Sequence, residues 1–370
     1  MKIKPYLASL AAIPLLGLSA LVDAVPAEND MAPPLERAAL ISKQADRALV
    51  NALALAGERL VAVGARGVIL VSDDHGQSWQ QVESPVSVTL TAVSFIDASR
   101  GWVVGHSGVI LHTSDGGATW AKQLDGLQAA QKVKTHVATL IEGLDEEQTW
   151  SLEDYAALLV DDGPDKPFLD VLFIDEKCGF VIGAFGMIFH TRDGGKSWEP
   201  WFEYLDNPGK LHLYSIRAAN DEIVIVGEQG MYLRSDDGGR AFEKIETPYS
   251  GSFFTVTPFA DGGWLLAGLR GNAFVHDAQR GEFRKLPVQS PVSFNSSMTL
   301  ENGGALLVNQ AGQVFHVVAG AQGLTPLALK PLPPLAGIVE AGDGAIVVTG
   351  FRGPARLAHL LEQKSAGVMQ

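Results

Sequence analysis

Residues 90–120 read LTAVSFIDASRGWVVGHSGVILHTSDGGATW, and this stretch decides the fold. Leu90–Phe95 alternates apolar and polar residues, the period of a strand with one buried side. Asp97–Gly101 reads as a turn, and Trp102-Val-Val-Gly105 as a buried strand. Gly105-His-Ser-Gly108 predicts a tight hairpin, where positive φ and a close return both favour glycine. Val109–Thr113 is a third strand, and Ser114–Trp120 closes a second hairpin and opens a fourth. Four antiparallel strands in sequence form a propeller blade, which cannot bury its faces without neighbours.

The unit recurs along the chain. The glycine pairs are Gly64/Gly67, Gly105/Gly108, Gly183/Gly186, Gly227/Gly230, Gly268/Gly271, Asn309/Gly312 and Gly350/Gly353, with Asn replacing the first glycine once. The steps between them are 41, 78, 44, 41, 41 and 41 residues. A fixed period near forty means an array of one supersecondary unit. The expected fold is all-β, a seven-bladed β-propeller of four-stranded antiparallel blades spanning residues 36–363. The seventh repeat runs out after three strands, so residues 36–43 are expected to supply its fourth and close the ring. Truncating them should then destabilise the whole ring.

The 78-residue step holds an insertion between blades 2 and 3, roughly residues 125–164. Val133, Val137, Leu140, Ile141 and Leu144 have helical spacing, and Ser151–Asp154 has the form of a capping box opening a second helix through Leu159. The tract from Glu142 to Asp165 is strongly acidic. Such an insertion reads either as a packed lid on the propeller or as part of a binding face.

The ends carry different information. Lys2 and Lys4 precede an apolar, Pro-interrupted stretch, and small residues follow around Ala24. That is the pattern of a secretory signal at residues 1–24, so the protein is expected in the periplasm. Residues 25–35 read as a leader and 364–370 as a tail. The formal charge of −14 argues against a nucleic-acid binder. Cys178 is the only cysteine, so no internal disulfide forms.

The second hairpin has its own signature. Ser72-x-Asp74-x-Gly76-x-Ser78-Trp79 returns as Thr113/Asp115/Gly117/Thr119/Trp120 and Thr191/Asp193/Gly195/Ser197/Trp198, and in weaker form as Ser235/Asp237/Gly239/Ala241/Phe242. This resembles the Asp-box, or BNR, repeat. Asp accepts backbone N–H groups within its own turn, glycine permits the reversal, and the aromatic ring packs between sheets. Asp74, Trp79, Asp115, Trp120, Asp193, Trp198, Asp237 and Phe242 are therefore read as structural.

Up-and-down connectivity separates the two ends of each blade. The Gly-x-x-Gly turns and the insertion share one rim; the Asp-boxes occupy the other. The turns place Arg66, His106, Phe185, Arg270, Phe351 and Arg352 on the insertion's rim, as candidates for partner binding. Arg offers a bidentate fork and Phe an apolar anchor. Phe168, Tyr214, Phe253, Phe254 and Asn295, which enter the first strands, are candidates for the mouth of the central channel.

Enzymatic motifs are missing. Asp-box propellers include sialidases and some glucanases, but glycosidases generally set two carboxylates across the substrate. No such pair is assignable, and there is no nucleophile elbow, HExxH or P-loop. The expectation is a non-enzyme without cofactor or metal. The alternative is a glycan-binding or glycoside-hydrolysing propeller.

Residues 60–79 and 90–120 resemble the photosystem II stability/assembly factor-like propellers, and the likeness extends over residues 36–363. The resemblance implies seven blades, export and no catalysis. Photosynthetic members chaperone the assembly of a membrane subunit. The chain is more similar to a proteobacterial branch, which tends to be encoded beside resistance-nodulation-division transporters. The implied role is a periplasmic accessory or scaffold for a membrane-protein complex. The photosynthetic members have an Arg patch, whose counterparts by turn position are Arg66, Arg270 and Arg352.

Overall fold

The computed structural model describes residues 32–277, 280–289, 291–318 and 320–357. The expected signal at 1–24, most of the leader and the tail at 364–370 lie outside the described residues. The chain forms seven antiparallel sheets in simple sequence order, six of four strands and one of three. Two helices interrupt them, α1 (Gly126–Leu140) and α2 (Glu146–Asp161).

The apolar run of each repeat becomes the second strand of its sheet. Gly101–Gly105, Gly179–Gly183, Trp264–Gly268, Ala305–Asn309 and Ile346–Gly350 are buried at every position. A strand covered on both faces has no need to alternate, hence the continuous apolar sequence.

The Asp-boxes order the sheets. A Cβ on Gly117 of the second box would meet Val61 of the first sheet, and one on Gly239 of the fourth would meet Phe180 of the third. Gly76 of the first box faces Val347 of the seventh sheet in the same way. Leu60, Ala341 and Val347 share a core cluster there. Arg356 of the seventh sheet also donates to the His75 carbonyl of the first at 2.7 Å. The first and seventh sheets therefore meet through side chains.

They are not joined by a strand, which corrects the expected closure. Among the described residues the seventh sheet keeps three strands, Leu335–Glu340, Ile346–Gly350 and Ala355–Leu357. Residues 36–43 form turns and coil against the first sheet. Ala39 N–H donates to Ser84 O, Ser42 N–H to Gln81 Oε1, and Gln81 Nε2 to Leu40 O. Leu35 and Ala39 are buried. These contacts hold the segment against the end of the first sheet, and it forms no strand.

The insertion's limits match the expected 125–164, but its second helix starts earlier than Ser151. Asp145 caps it, accepting Gln148 N–H at 2.8 Å, and Glu146 and Glu147 suit the positive end of the helix. In α1, Asp125 and Gln128 form a reciprocal capping box. Ala129, Val133 and Val137 of α1 pack with Tyr155, Ala156 and Leu159 of α2, and with Trp201, Phe202 and Leu205 that follow the third sheet. Gly126 sits against the Ser107 carbonyl, so the insertion leaves from the turn rim.

Candidate partner-binding face

Two backbone constraints build each turn. The first glycine is extended (φ −166° at Gly64), so positive φ does not explain it. Close approach does: a Cβ on Gly64 would lie 2.1 Å from Leu49 O, and one on Gly350 2.1 Å from Pro334 O. The last glycine does need positive φ and is also crowded. Gly230 has φ +75°, and a Cβ there would lie 1.8 Å from Tyr249 O. Each turn is wedged between the chain entering its sheet and the chain leaving it.

The second central residue of most turns projects outward, whereas Ala184, the first of the third turn, is buried. Arg66, Phe185 and Arg270 are held in left-handed conformation at φ 55°, 56° and 56°. Arg66, His106, Phe185, Arg270, Phe351 and Arg352 are all exposed, Phe351 at 64%. No ion pair engages Arg66, Arg270 or Arg352 among the described residues. The six side chains stand at five turns, Phe351 and Arg352 sharing one, and among the described residues no hydrogen bond joins any two of them. Arg352 also differs from Arg66 and Arg270, because its backbone is not left-handed. Its equivalence to them is one of sequence position. Phe185 alone joins a larger cluster: His212 lies at 5.0 Å between ring centroids, and Lys166 Nζ sits 5.0 Å over its ring.

The same end of the molecule holds a feature that repeat spacing did not reveal. In each of the seven sheets the pairing of the first and second strands slips by one residue next to the turn. The unpaired residues are Asn51, Thr91, Leu169, Tyr214, Phe254, Asn295 and Ala336. All seven are half-buried and line one central cavity of about 150 Å³. A β-bulge re-aims its extra side chain, here into the channel mouth. Of the five residues expected there, Tyr214, Phe254 and Asn295 line the cavity. Phe168 and Phe253, one residue earlier, are fully buried core.

The ring is two-sided. Asn51 Nδ2 donates to Leu90 O at 2.8 Å, Thr91 Oγ1 to Phe168 O at 2.7 Å, and Asn295 Nδ2 to Leu335 O at 2.7 Å. Each bond reaches the residue just before the next sheet's bulge, so polar bulge residues tie neighbouring sheets. On the other side Tyr214 meets Phe254 edge-on at 5.1 Å and stacks over His212 at 6.3 Å. An aromatic path thus runs from the channel mouth to Phe185. The sequence does carry a signal for the ring: each bulge residue lies 13 or 14 positions before the first residue of its turn. Only the pairing register gives that offset a meaning.

Below the ring, Asp170 accepts from Arg217 Nη1 at 2.5 Å and from Ile216 N–H at 2.9 Å. It is the one carboxylate among the described residues lining the cavity. No residue of α1 or α2 lines that cavity; the insertion packs beside the third sheet, on Trp201, Phe202 and Leu205.

The opposite rim is internally satisfied. Asp115 Oδ1 accepts from Thr113 Oγ1 (2.7 Å) and Thr119 N–H (2.9 Å), and Oδ2 from Thr119 Oγ1 (2.6 Å). The Thr119 hydroxyl, with its N–H and Thr113, holds this carboxyl down at about 2. Asp74, Asp193 and Asp237 repeat the arrangement, and Asp237 loses the hydroxyl donor where Ala241 replaces Ser or Thr. Trp120, Trp198 and Phe242 are buried, and Trp79 packs partly buried beside Leu60 and Val347. Cys178 Sγ lies 3.3 Å from His190 Nε2; burial pushes the thiol up and the imidazole down to about 4, so both are neutral near pH 7.

Comparison with known proteins agrees with this architecture. Residues 71–159 and 154–250 match the family model described as photosynthesis system II assembly factor YCF48. A photosystem II assembly lipoprotein Ycf48 of Synechococcus sp. (strain CC9902) is 22% identical over 232 residues, 62% of this chain and 59% of that protein. The chain spans about half the length of the curated relatives it matches. The solved structure of YCF48 bound to D1 peptide superposes with TM-score 0.60 at 19% identity, covering 87% of this chain and 96% of the other. The WD40 beta propeller domain of Doa1 superposes with TM-score 0.58 at 11% identity, over 87% of this chain and 95% of its own. Residues 71–250 are therefore similar to the repeats of the Ycf48/HCF136 photosystem II assembly factors, and the chain as a whole has a propeller fold.

Proposed function

We propose that this protein is a non-enzymatic accessory factor, exported to the periplasm, that holds a segment of a membrane-protein complex on its turn rim. The specific partner class is a resistance-nodulation-division-type transporter. The observation that carries the reading is the unspent chemistry of that rim. Arg66, Arg270 and Arg352 are exposed and, among the described residues, without ion pairs; Phe351 is an exposed aromatic next to Arg352, and Phe185 is another at the third turn. Relatives named as assembly factors, and a YCF48 solved with a D1 peptide, support a polypeptide partner. The channel supports it too. About 150 Å³ holds roughly five water molecules, so a partner rests across the mouth. Asp170, already paired with Arg217, leaves no second carboxylate in the cavity for glycoside chemistry. No helix among the described residues is long and apolar enough to cross a membrane.

The test is co-purification of the tagged chain with solubilised membrane complexes. Arg66→Glu combined with Arg352→Glu should abolish retention while the variant stays folded. Unchanged retention would show the proposed rim to be wrong. Clear hydrolysis in a glycan turnover screen would overturn the non-enzymatic reading.

A further inference from the structure

Helix α2 carries a face that the fold does not use. Its inner side is Tyr155, Ala156 and Leu159, which are buried against α1 and Phe202. Trp150 lies nine residues before Leu159, half a turn out of phase on a helix of 3.6 residues per turn, and points the opposite way. It is 58% exposed, and Leu158, about two turns further along the helix, is 39% exposed. Glu147, Asp154 and Asp161 share its stripe and are exposed, with Glu146 and Glu153 flanking. The helix contains five carboxylates and no basic residue. In the acidic tract, Lys166 pairs with Asp162 and Asp165; among the described residues no ion pair reaches the five on α2.

An exposed indole amid unneutralised like charges gives nothing to the fold. Five carboxylates on one helix repel one another, and the ring leaves apolar area in water. We propose that this face docks a cationic amphipathic segment of a partner protein. Its apolar side chains would pack on Trp150 and, about two turns on, on Leu158, and its Lys or Arg groups would meet Glu147, Asp154 and Asp161. Charge selects this occupant. A second copy, at −14, brings the same sign, and an anionic lipid surface does likewise. The site uses none of the turn residues and does not rest on the reading above.

The probe is a short labelled peptide of Lys and Leu in helical amphipathic register, titrated into the purified full chain by fluorescence anisotropy. The wild type should bind it, more weakly as salt rises. Trp150→Ala, at an exposed position, should leave the circular dichroism spectrum intact and weaken binding by about 10-fold or more. Asp154→Asn with Asp161→Asn should weaken binding and flatten its salt dependence. A matched Glu/Leu peptide should not bind. Equal affinity of wild type and Trp150→Ala, no binding by the wild type, or equal binding of the Glu/Leu peptide each overturns the proposal. Trp150-dependent dimerisation in sedimentation, or Trp150-dependent flotation with phosphatidylglycerol vesicles, would also overturn it by assigning the face to another occupant.

Discussion

The two rims of this molecule are built from the same repeat but held by different parts of it. At the Asp-box rim, side chains do the holding: Asp74 and Asp115 each collect hydrogen bonds from both ends of their own hairpin. At the turn rim, the backbone does it: at Gly64, Gly230, Gly312, Gly350 and Gly353 a Cβ would lie within about 2 Å of a backbone carbonyl oxygen, although Asn309 replaces the first glycine once. The consequence is a difference in freedom. A side chain used as a staple cannot vary, whereas a turn secured by glycine leaves its central side chains open to change. Arg66, His106, Phe185, Arg270, Phe351 and Arg352 occupy those open positions, and recognition can be placed there without disturbing the fold.

The largest effect should come from breaking the backbone side of this contrast. Gly230→Ala combines positive φ with a Cβ 1.8 Å from Tyr249 O. It should lower unfolding free energy by about 3 kcal/mol or more in urea titrations. The control is Gly143→Ala, with φ +93° and nothing within 4 Å, which should cost only the conformational strain of about 1 kcal/mol. Comparable losses at both glycines would break the account of the turn rim.

Next in size is the staple. Asp115→Ala removes the acceptor of Thr119 and Thr113 and should cost about 1–2 kcal/mol by chemical denaturation. A change below about 0.3 kcal/mol would mean that the aromatic ring and glycine hold the hairpin without the carboxylate.

A pH series sharpens the same point. Hydrogen bonds from the Ser78 hydroxyl, the Ser78 N–H and Ser72 hold the Asp74 carboxyl down at about 2. Its folded value is depressed, so its contribution is complete above the ordinary carboxylate range near pH 4. It is lost as pH falls through about 2. The wild type should therefore lose stability more steeply than Asp74→Asn between about pH 4 and 2, with parallel curves above. Identical slopes across that window would remove Asp74 from the balance.

The smallest effect is the most diagnostic for function. Arg66→Ala and Arg352→Ala should each change stability by less than about 0.5 kcal/mol, since neither head has an internal ion pair. A larger loss at either would make that arginine structural and weaken its candidacy for recognition.

Much of the fold was legible before any coordinates. The forty-residue period located seven sheets because each repeat must present the same apolar second strand to its neighbours. The 78-residue step located the insertion to within a residue or two of its start. The Asp-box staple was legible because the bonds its carboxylate accepts fall within one hairpin. Three readings did not survive or were not available. Residues 36–43 do not complete the seventh sheet, because the Ala39 and Ser42 amides are already engaged by the first. Helix α2 begins at Asp145, an N-cap that a capping-box search at Ser151 passed over. Of the bulge ring, Tyr214, Phe254 and Asn295 belong to the group expected at the channel mouth, whereas Asn51, Thr91, Leu169 and Ala336 share no residue type that marks them before the pairing register is known.

The amino-acid sequence by itself determined what depends on near neighbours: the hairpins, the buried strands, the staples and the number of repeats. Hydrogen-bond reach and side-chain periodicity act over a few residues, so their record is local. Only the tertiary structure decided which residues face the channel, where the insertion lies, and which charges stay unpaired. Those outcomes depend on strand register and on contacts between residues far apart in the chain. Asn51 reaches Leu90, Arg356 reaches His75, and neither partnership is written in the spacing of either residue.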